Sequence, residues 1–271
     1  MSERIAFIGG GNMANAIIGG LIGQGFAAHQ IDVVEPFAQA QDKLKTVHDI
    51  VAQAQPGAFL STAALVIWAV KPQTFKEAAL QVRLHTREAL HLSVAAGIRS
   101  DSIAHWLGTE RVVRAMPNTP ALIGRGISAL FARPAVTPPD KDWVSRVIAS
   151  TGEFLWLEAE DQLDAVTALS GSGPAYVFYF IEAMTIAGAE MGLTRDQACQ
   201  LAVATFVGAG ELARASQEPP EVLRQRVTST GGTTHAAISS LEHDGVKALF
   251  IKAMQTARRR AKELGDEFGD A

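Results

Sequence analysis

Arg4-Ile-Ala-Phe-Ile-Gly-Gly-Gly-Asn-Met-Ala14 decides the fold: an apolar run stops at three successive glycines, and residues 12–21 continue as a helix-like segment. The order is strand, tight turn, helix. Gly9-Gly10-Gly11-Asn12-Met13-Ala14 has the spacing G-x-G-x-x-A, in which Gly9 permits a sharp exit from the strand and Gly11 lets the backbone approach a pyrophosphate. The unpaired N–H groups and positive end of the next helix complete an anion site. The alternative is a glycine turn without a ligand, but here strand, glycines and helix stand in register.

Working outward, further apolar runs cover residues 31–34, 64–70, 90–94 and 111–115. They stop at Glu35-Pro36, Lys71-Pro72, Ala95-Ala96-Gly97 and Met116-Pro117-Asn118, with a helical pattern over residues 38–46. Continuous apolar strands alternating with helices predict a parallel sheet covered on both faces. After a turn-rich segment, residues 133–139, and one more helix and strand within 141–157, strand signals cease. Helices are predicted over 162–169, 175–191, 195–216, 220–227, 234–244 and 245–264. The expected fold class is α/β plus all-α: a doubly wound domain over residues 1–160 and an all-helical domain over 161–271.

The length of 271 residues favours two domains, and 48% hydrophobic against 19% charged residues excludes general disorder. A net charge of -4 with a pI near 6.0 argues against nucleic acid as a partner. Arg258-Arg259-Arg260 with Lys262 reads as a solvated helix face. One cysteine, Cys199, excludes an intrachain disulfide; its apolar neighbours predict a small buried side chain, and a reducing cytoplasm fits. Met1-Ser2-Glu3-Arg4 leads straight into a strand with no secretory pattern. Residues 174–193 form the most apolar helix candidate, but Glu182 and Glu190 favour burial in protein over a bilayer. Ala187-Gly188-Ala189 and Gly208-Ala209-Gly210 suit close helix contact. The helical domain is expected to pair with a partner chain, because the apolar helices over 174–193 and 198–213 expose more apolar face than one small domain can cover.

Glu35 closes the second strand, where a carboxylate can accept from both ribose hydroxyls and would repel a 2'-phosphate, which favours NADH over NADPH. The alternative is that Glu35 turns outward before the next helix. Val70-Lys71-Pro72, Ala95-Ala96-Gly97 and Met116-Pro117-Asn118 lie past strand ends, where an open α/β sheet binds its ligand, although plain turns use the same residues. Ser170-Gly171-Ser172-Gly173-Pro174 is expected to open a helix with free N–H groups. Ser229-Thr-Gly-Gly-Thr-Thr234 opens another and suits a carboxylate or phosphate; a bare helix cap at Thr233 or Thr234 would leave its other hydroxyls without a role. No metal site is expected.

Ala168-Leu-Ser-Gly-Ser-Gly-Pro-Ala-Tyr-Val177 and Val227-Thr-Ser-Thr-Gly-Gly-Thr-Thr234 resemble the pyrroline-5-carboxylate reductase family. Phe7-Ile-Gly-Gly-Gly-Asn-Met13, Ala69-Val-Lys-Pro72 and Arg114-Ala-Met-Pro-Asn-Thr-Pro120 are similar too, so the likeness spans the chain. It implies a Rossmann domain, a helical domain interlocking two subunits, and often a ring of such dimers. It also implies reduction of 1-pyrroline-5-carboxylate to L-proline with NADPH or NADH. By the resemblance, Thr234 would face the ring nitrogen, and Ser229, Gly231, Gly232 and Thr233 would hold the substrate carboxylate. Gly9, Gly10, Gly11, Asn12, Met13, Val70, Lys71, Pro72, Ala95 and Gly97 would line the cofactor. Glu35 departs from NADPH-using members, which tend to carry a small polar or basic residue near that point. His235 ranks below Thr234 as proton donor, because the positive end of a helix repels a cation.

Two other readings share the architecture. A β-hydroxyacid dehydrogenase relies on a lysine on the helix after its glycine turn, and residues 173–184 contain none. A nicotinamide-binding protein without turnover would leave the hydroxyl-rich turn at Ser229 to Thr234 idle.

Overall fold

The computed structural model describes residues 4–269, so the Met1-Ser2-Glu3 start lies outside the described residues. The described chain divides into two compact units. One runs up to Ser172 and resumes at Ala257; the other is Gly173–Thr256.

In the first unit β1 (Ile5–Ile8), α1 (Asn12–Gly23), β2 (Ile31–Val34), α2 (Ala38–His48) and β3 (Leu65–Trp68) alternate as the sequence predicts. α3 (Pro72–Val82), β4 (Leu90–Ser93), α4 (Ser100–Leu107) and β5 (Val112–Met116) continue the pattern. There follow β6 (Gly126–Ala132), α5 (Pro138–Ala149) and β7 (Gly152–Trp156). Among the described residues these strands form one seven-stranded sheet in the order β2-β1-β3-β4-β5-β6-β7.

Strands β2 to β5 run parallel, but β6 is antiparallel to β5, and β7 is parallel to β6. The sequence assigned no strand to residues 126–132 and implied a wholly parallel sheet, which is corrected here. Residues 117–125 hold only a 3-10 turn, Thr119–Ile123, too short for the crossover that a parallel neighbour needs.

Strand order reverses between β1 and β3, which places a crevice at their carboxyl ends. Alternate residues of β1 serve opposite layers. Ile5 and Phe7 pack with Ile17 and Ile18 of α1, Leu44 of α2 and Ile148 of α5. Ala6 and Ile8 belong to a second core with Phe75 of α3 and Ile103 of α4. The period of two thus supplies a core to each face, and every large aliphatic so buried contributes about 1.5–3 kcal/mol.

Helix α6 (Gln162–Val166) runs into a π-helical turn, Thr167–Gly171. The expected free helix opening at Ser170–Pro174 is therefore a correction: the Ser172 N–H donates to Thr167 O at 2.8 Å, so the chain arrives already helical. A Cβ on Gly171 would press on the terminal methyl of Met116, the movable end of a flexible side chain.

The second unit contains α7 (Gly173–Glu190), α8 (Arg195–Ala215), α9 (Pro220–Arg226), α10 (Thr233–His243) and the start of α11 (Val246–Gly269). Thr194 and Gln197 form a capping box that starts α8. A Cβ on Gly188 of α7 would lie 2.7 Å from the Ala198 Cβ, so the small residue there does permit close packing. Gly208 and Gly210 meet nothing within 4 Å. Cys199 is exposed, not buried as expected, because α8 turns Ala198 and Ala202 inward and Cys199 lies one residue round from them. Within the single chain α7 buries only Thr185 and Gly188 and exposes Phe178, Tyr179 and Met184. Among the described residues no helix is long and apolar enough to cross a membrane.

Candidate active site

The β1–α1 turn is shaped by close approach. Gly9 has φ +96°, and a Cβ there would lie 2.6 Å from the Ala69 carbonyl oxygen at the end of β3. Only glycine satisfies both demands. Its N–H donates to Val34 O at 2.8 Å, which ties the turn to β2 as well. Gly11, the N-cap of α1, has no side-chain cap, and a Cβ on it would meet nothing within 4 Å. The first N–H groups of α1 therefore start beside open space, as anion binding needs.

Glu35 neither turns outward nor stands free. It is 5% exposed; Oε2 accepts from the Gly10 N–H at 2.7 Å and Oε1 from the Phe37 N–H at 2.9 Å. The Glu35 backbone is held too, its N–H donating to Gln53 O at 2.8 Å and its carbonyl accepting from Gln41 Nε2 at 2.6 Å. One consequence is that the Gly10 N–H is already committed.

Gly9, Gly11, Glu35, Phe37, Val70 and Lys71 all line one cavity of about 630 Å³. Its far wall includes Ala54, Gln55 and Pro56, which the sequence did not single out; they follow a short parallel bridge from Gln53 to Val34. The space, the uncapped helix start and the glycine approach fit a dinucleotide, whose pyrophosphate the Gly11 and Asn12 N–H groups would meet. Met13 packs partly buried against the core, and Asn12 Oδ1 lies 3.5 Å from Lys43 Nζ. Lys71 is the N-cap of α3 with Pro72 at its first position. Ala95 and Gly97 follow β4 and do not line this cavity; Gly97 has φ +74°, and a Cβ on it would lie 3.2 Å from the Leu264 Cβ. Asn118 has a structural task, its Oδ1 accepting from the Ile127 N–H at 3.0 Å at the start of β6.

In the second unit, Gly231 takes φ +76° and Gly232 is the N-cap of α10, again with no side-chain cap. The Gly232 N–H donates to Ser229 O at 3.0 Å, and a Cβ on Gly232 would lie 2.8 Å from Ser229 Oγ. Thr233 and Thr234 are the first two helical residues, so neither serves as the N-cap. Ser229, Thr230, Thr233 and Thr234 are exposed around this helix start, the composition an oxyanion would use. Among the described residues no group of three or more His, Cys, Asp or Glu side chains is gathered as a metal ion would need.

Comparison with known proteins agrees with both halves. Residues 160–264 match the family described as pyrroline-5-carboxylate reductase dimerisation, and residues 4–97 match NADP oxidoreductase, coenzyme F420-dependent. The Pseudomonas aeruginosa pyrroline-5-carboxylate reductase is 44% identical over 99% of both chains, and that of Escherichia coli K12 is 36% identical over 97% of this chain and 99% of its own. Among solved structures, the Coxiella burnetii pyrroline-5-carboxylate reductase superposes with a TM-score of 0.90 at 37% identity, covering 97% of this chain and 99% of that one. The Plasmodium falciparum pyrroline carboxylate reductase, solved with NADP bound, gives 0.86 at 26% identity, with 97% and 98% covered. With a nucleotide-type turn at its start, a hydroxyl-rich helix opening near its end and such relatives along nearly its whole length, the chain belongs to the pyrroline-5-carboxylate reductase family.

Proposed function

We propose that the chain reduces 1-pyrroline-5-carboxylate to L-proline with a reduced nicotinamide dinucleotide. The observation that carries this reading is the uncapped N-terminus of α1 at Gly11, open beside the cavity that Glu35, Val70 and Lys71 line, in a chain of this family. When bound, the reduced nicotinamide supplies hydride to the carbon of the C=N bond.

The residues of the chain bind and orient, and water relayed through the Thr234 hydroxyl supplies the proton that the ring nitrogen gains. Gly9, Gly10, Gly11, Asn12 and Met13 form the phosphate turn, with Val70, Lys71, Pro72, Ala95 and Gly97 along the strand ends. Ser229, Gly231, Gly232 and Thr233 hold the substrate carboxylate at the start of α10, where the helix dipole favours an anion. The Thr234 hydroxyl donates a hydrogen bond to the ring nitrogen, which must end protonated. Glu35 sets its carboxylate on the cavity wall where a 2'-phosphate would add negative charge, so NADH is preferred over NADPH.

The functional division is a dinucleotide domain over residues 1–160 and a substrate and dimerisation domain over 161–271. The exposed apolar side chains of α7 and α8, among them Phe178, Tyr179, Leu201 and Val207, pair two chains, with a ring of such dimers built on that pair and the cytoplasm as the working compartment. Sedimentation as a stable, active monomer would overturn the pairing. The activity is tested by following oxidation of NADH and NADPH in parallel with 1-pyrroline-5-carboxylate as acceptor. Turnover with either supports the reading, faster turnover with NADH supports the role of Glu35, and no oxidation of either refutes the activity.

A further inference from the structure

Asn15 is a polar side chain on the buried face of α1, among Ala14, Ile17, Ile18 and Leu21, and every polar atom of its amide is used. Nδ2 donates to Gly10 O at 2.8 Å and to Gly11 O at 2.9 Å. Both partners can only accept, so the nitrogen must face them and Oδ1 must face the other way. There it meets His48 Nε2, the last residue of α2, at 3.2 Å. Oδ1 can only accept, so Nε2 carries the proton. Burial first, and the Lys43 ammonium second, hold the His48 pKa below its usual range, which keeps the ring neutral near pH 7. Gly19, one turn after Asn15, makes room for that ring: a Cβ there would lie 3.3 Å from His48 Cε1.

The geometry has a direct effect on the turn. Among the described residues every peptide bond is trans, and in a trans peptide the C=O and N–H point in opposite directions. Gly10 O shares its peptide plane with the Gly11 N–H, and Gly11 O shares its plane with the Asn12 N–H. The Gly11 carbonyl also accepts from the Asn15 backbone N–H at 2.9 Å, so the first bond of α1 already holds the Gly11–Asn12 plane. It is the Gly10–Gly11 plane that only the side-chain amide holds from the carbonyl side. Together the two bonds aim two successive N–H groups the other way, into the concave arrangement that binds anions. From the other side, Glu35 fixes the preceding plane by accepting from the Gly10 N–H at 2.7 Å. The turn is clamped through its carbonyls by Asn15 and through its N–H by Glu35.

We infer that Asn15 is a positioning residue for the dinucleotide diphosphate: its amide orients the Gly10–Gly11 peptide plane so that the Gly11 N–H joins the helix-held Asn12 N–H in facing the anion, and His48 fixes the amide that does so. This rests on the reading of the β1–α1 turn as the cofactor site.

The test is direct binding to the full chain, by titration calorimetry, of NADH, NADPH, ADP and adenosine, with a thermal melt of each variant. Asn15→Ala is expected to raise the Kd of NADH, NADPH and ADP about tenfold, and Asn15→Asp to raise it further because an acceptor then faces two carbonyls. Adenosine, which lacks the diphosphate, is expected to bind within about twofold of the parent chain. His48→Gln keeps an N–H and is expected to bind like the parent, whereas His48→Phe weakens ADP about threefold. The KM for 1-pyrroline-5-carboxylate and kcat at saturating cofactor are expected to change less than these Kd values.

Unchanged ADP binding in Asn15→Ala and Asn15→Asp overturns the inference and leaves the site reading intact. So does equal weakening of ADP and adenosine, which marks a general collapse of the pocket. If Asn15 variants do not fold, His48→Phe decides by the same contrast of ADP with adenosine. Failure of the parent chain to bind either nicotinamide dinucleotide removes the site reading and the inference together.

Discussion

Glu35 illustrates what one residue can be asked to do. Its place at the end of β2 is legible in the sequence, but its partners are not, because a side-chain rotamer depends on the glycine turn that folds against it. Both carboxylate oxygens anchor backbone, at Gly10 and Phe37, while the side chain still lines the cavity. Glu35→Ser is therefore expected to act twice. The ratio of kcat/KM for NADPH over NADH should rise, since a charge facing the 2'-phosphate is gone, and the Kd for both should weaken about fivefold as the Gly10 N–H loses its acceptor, roughly 1 kcal/mol. An unchanged ratio with weakened binding would leave Glu35 as an anchor only. Thr234 is the corresponding residue in the second unit, exposed at the second position of α10. Thr234→Ala is expected to lower kcat by about 10²-fold, with KM moving less, and Thr234→Ser to retain much more activity. Equal impairment of the two would show that the methyl group matters and the hydroxyl does not.

At the scale of elements, His91 in β4 gives the sheet a measurable signature. Its ring is 1% exposed, Nδ1 accepts from Trp68 Nε1–H at 3.1 Å, and Nε2 lies 3.2 Å from Thr86 O, so the neutral Nε2–H form fits both neighbours. Burial pushes its pKa down to about 4; the Thr86 carbonyl opposes that shift and the Arg111 charge adds to it. The unfolded chain therefore takes up this proton first. Stability is full above about pH 6.5 and falls as the pH drops toward 4, where the loss levels off. Between pH 7.5 and 5 the loss amounts to about 2 kcal/mol, and urea unfolding of His91→Gln compared with the parent should lack that component. An equal pH dependence in the two proteins would mean that His91 titrates normally.

The same scale shows where the sequence was readable. Five strands ending at Gly, Pro or Glu-Pro gave themselves away by continuous apolar runs. β6 did not, because its Gly126-Ile-Ser-Ala-Leu-Phe-Ala132 follows a glycine- and proline-bearing segment that reads as turn, and strand direction is a property of pairing. The length of the link carried the missing signal, since residues 117–125 leave no room for a crossover helix. Asn15 was hidden for a related reason: one polar residue in an apolar helix is conspicuous, but only the folded turn shows two carbonyls over its amide.

For the whole molecule, the glycine turn, the helical second unit and the hydroxyl-rich opening of α10 were all legible, because each depends on local spacing. Exposure of Cys199 was not, since which face of a helix meets another is decided in three dimensions. The central claim is that the whole chain moves hydride from a nicotinamide to a cyclic imine. It is tested most directly by supplying 1-pyrroline-5-carboxylate with reduced nicotinamide dinucleotide deuterated at C4 on the transferable face and examining the product by chiral chromatography and mass spectrometry. L-Proline carrying one deuterium on the carbon of the former C=N bond is the expected result; unlabelled proline, or none, would contradict it.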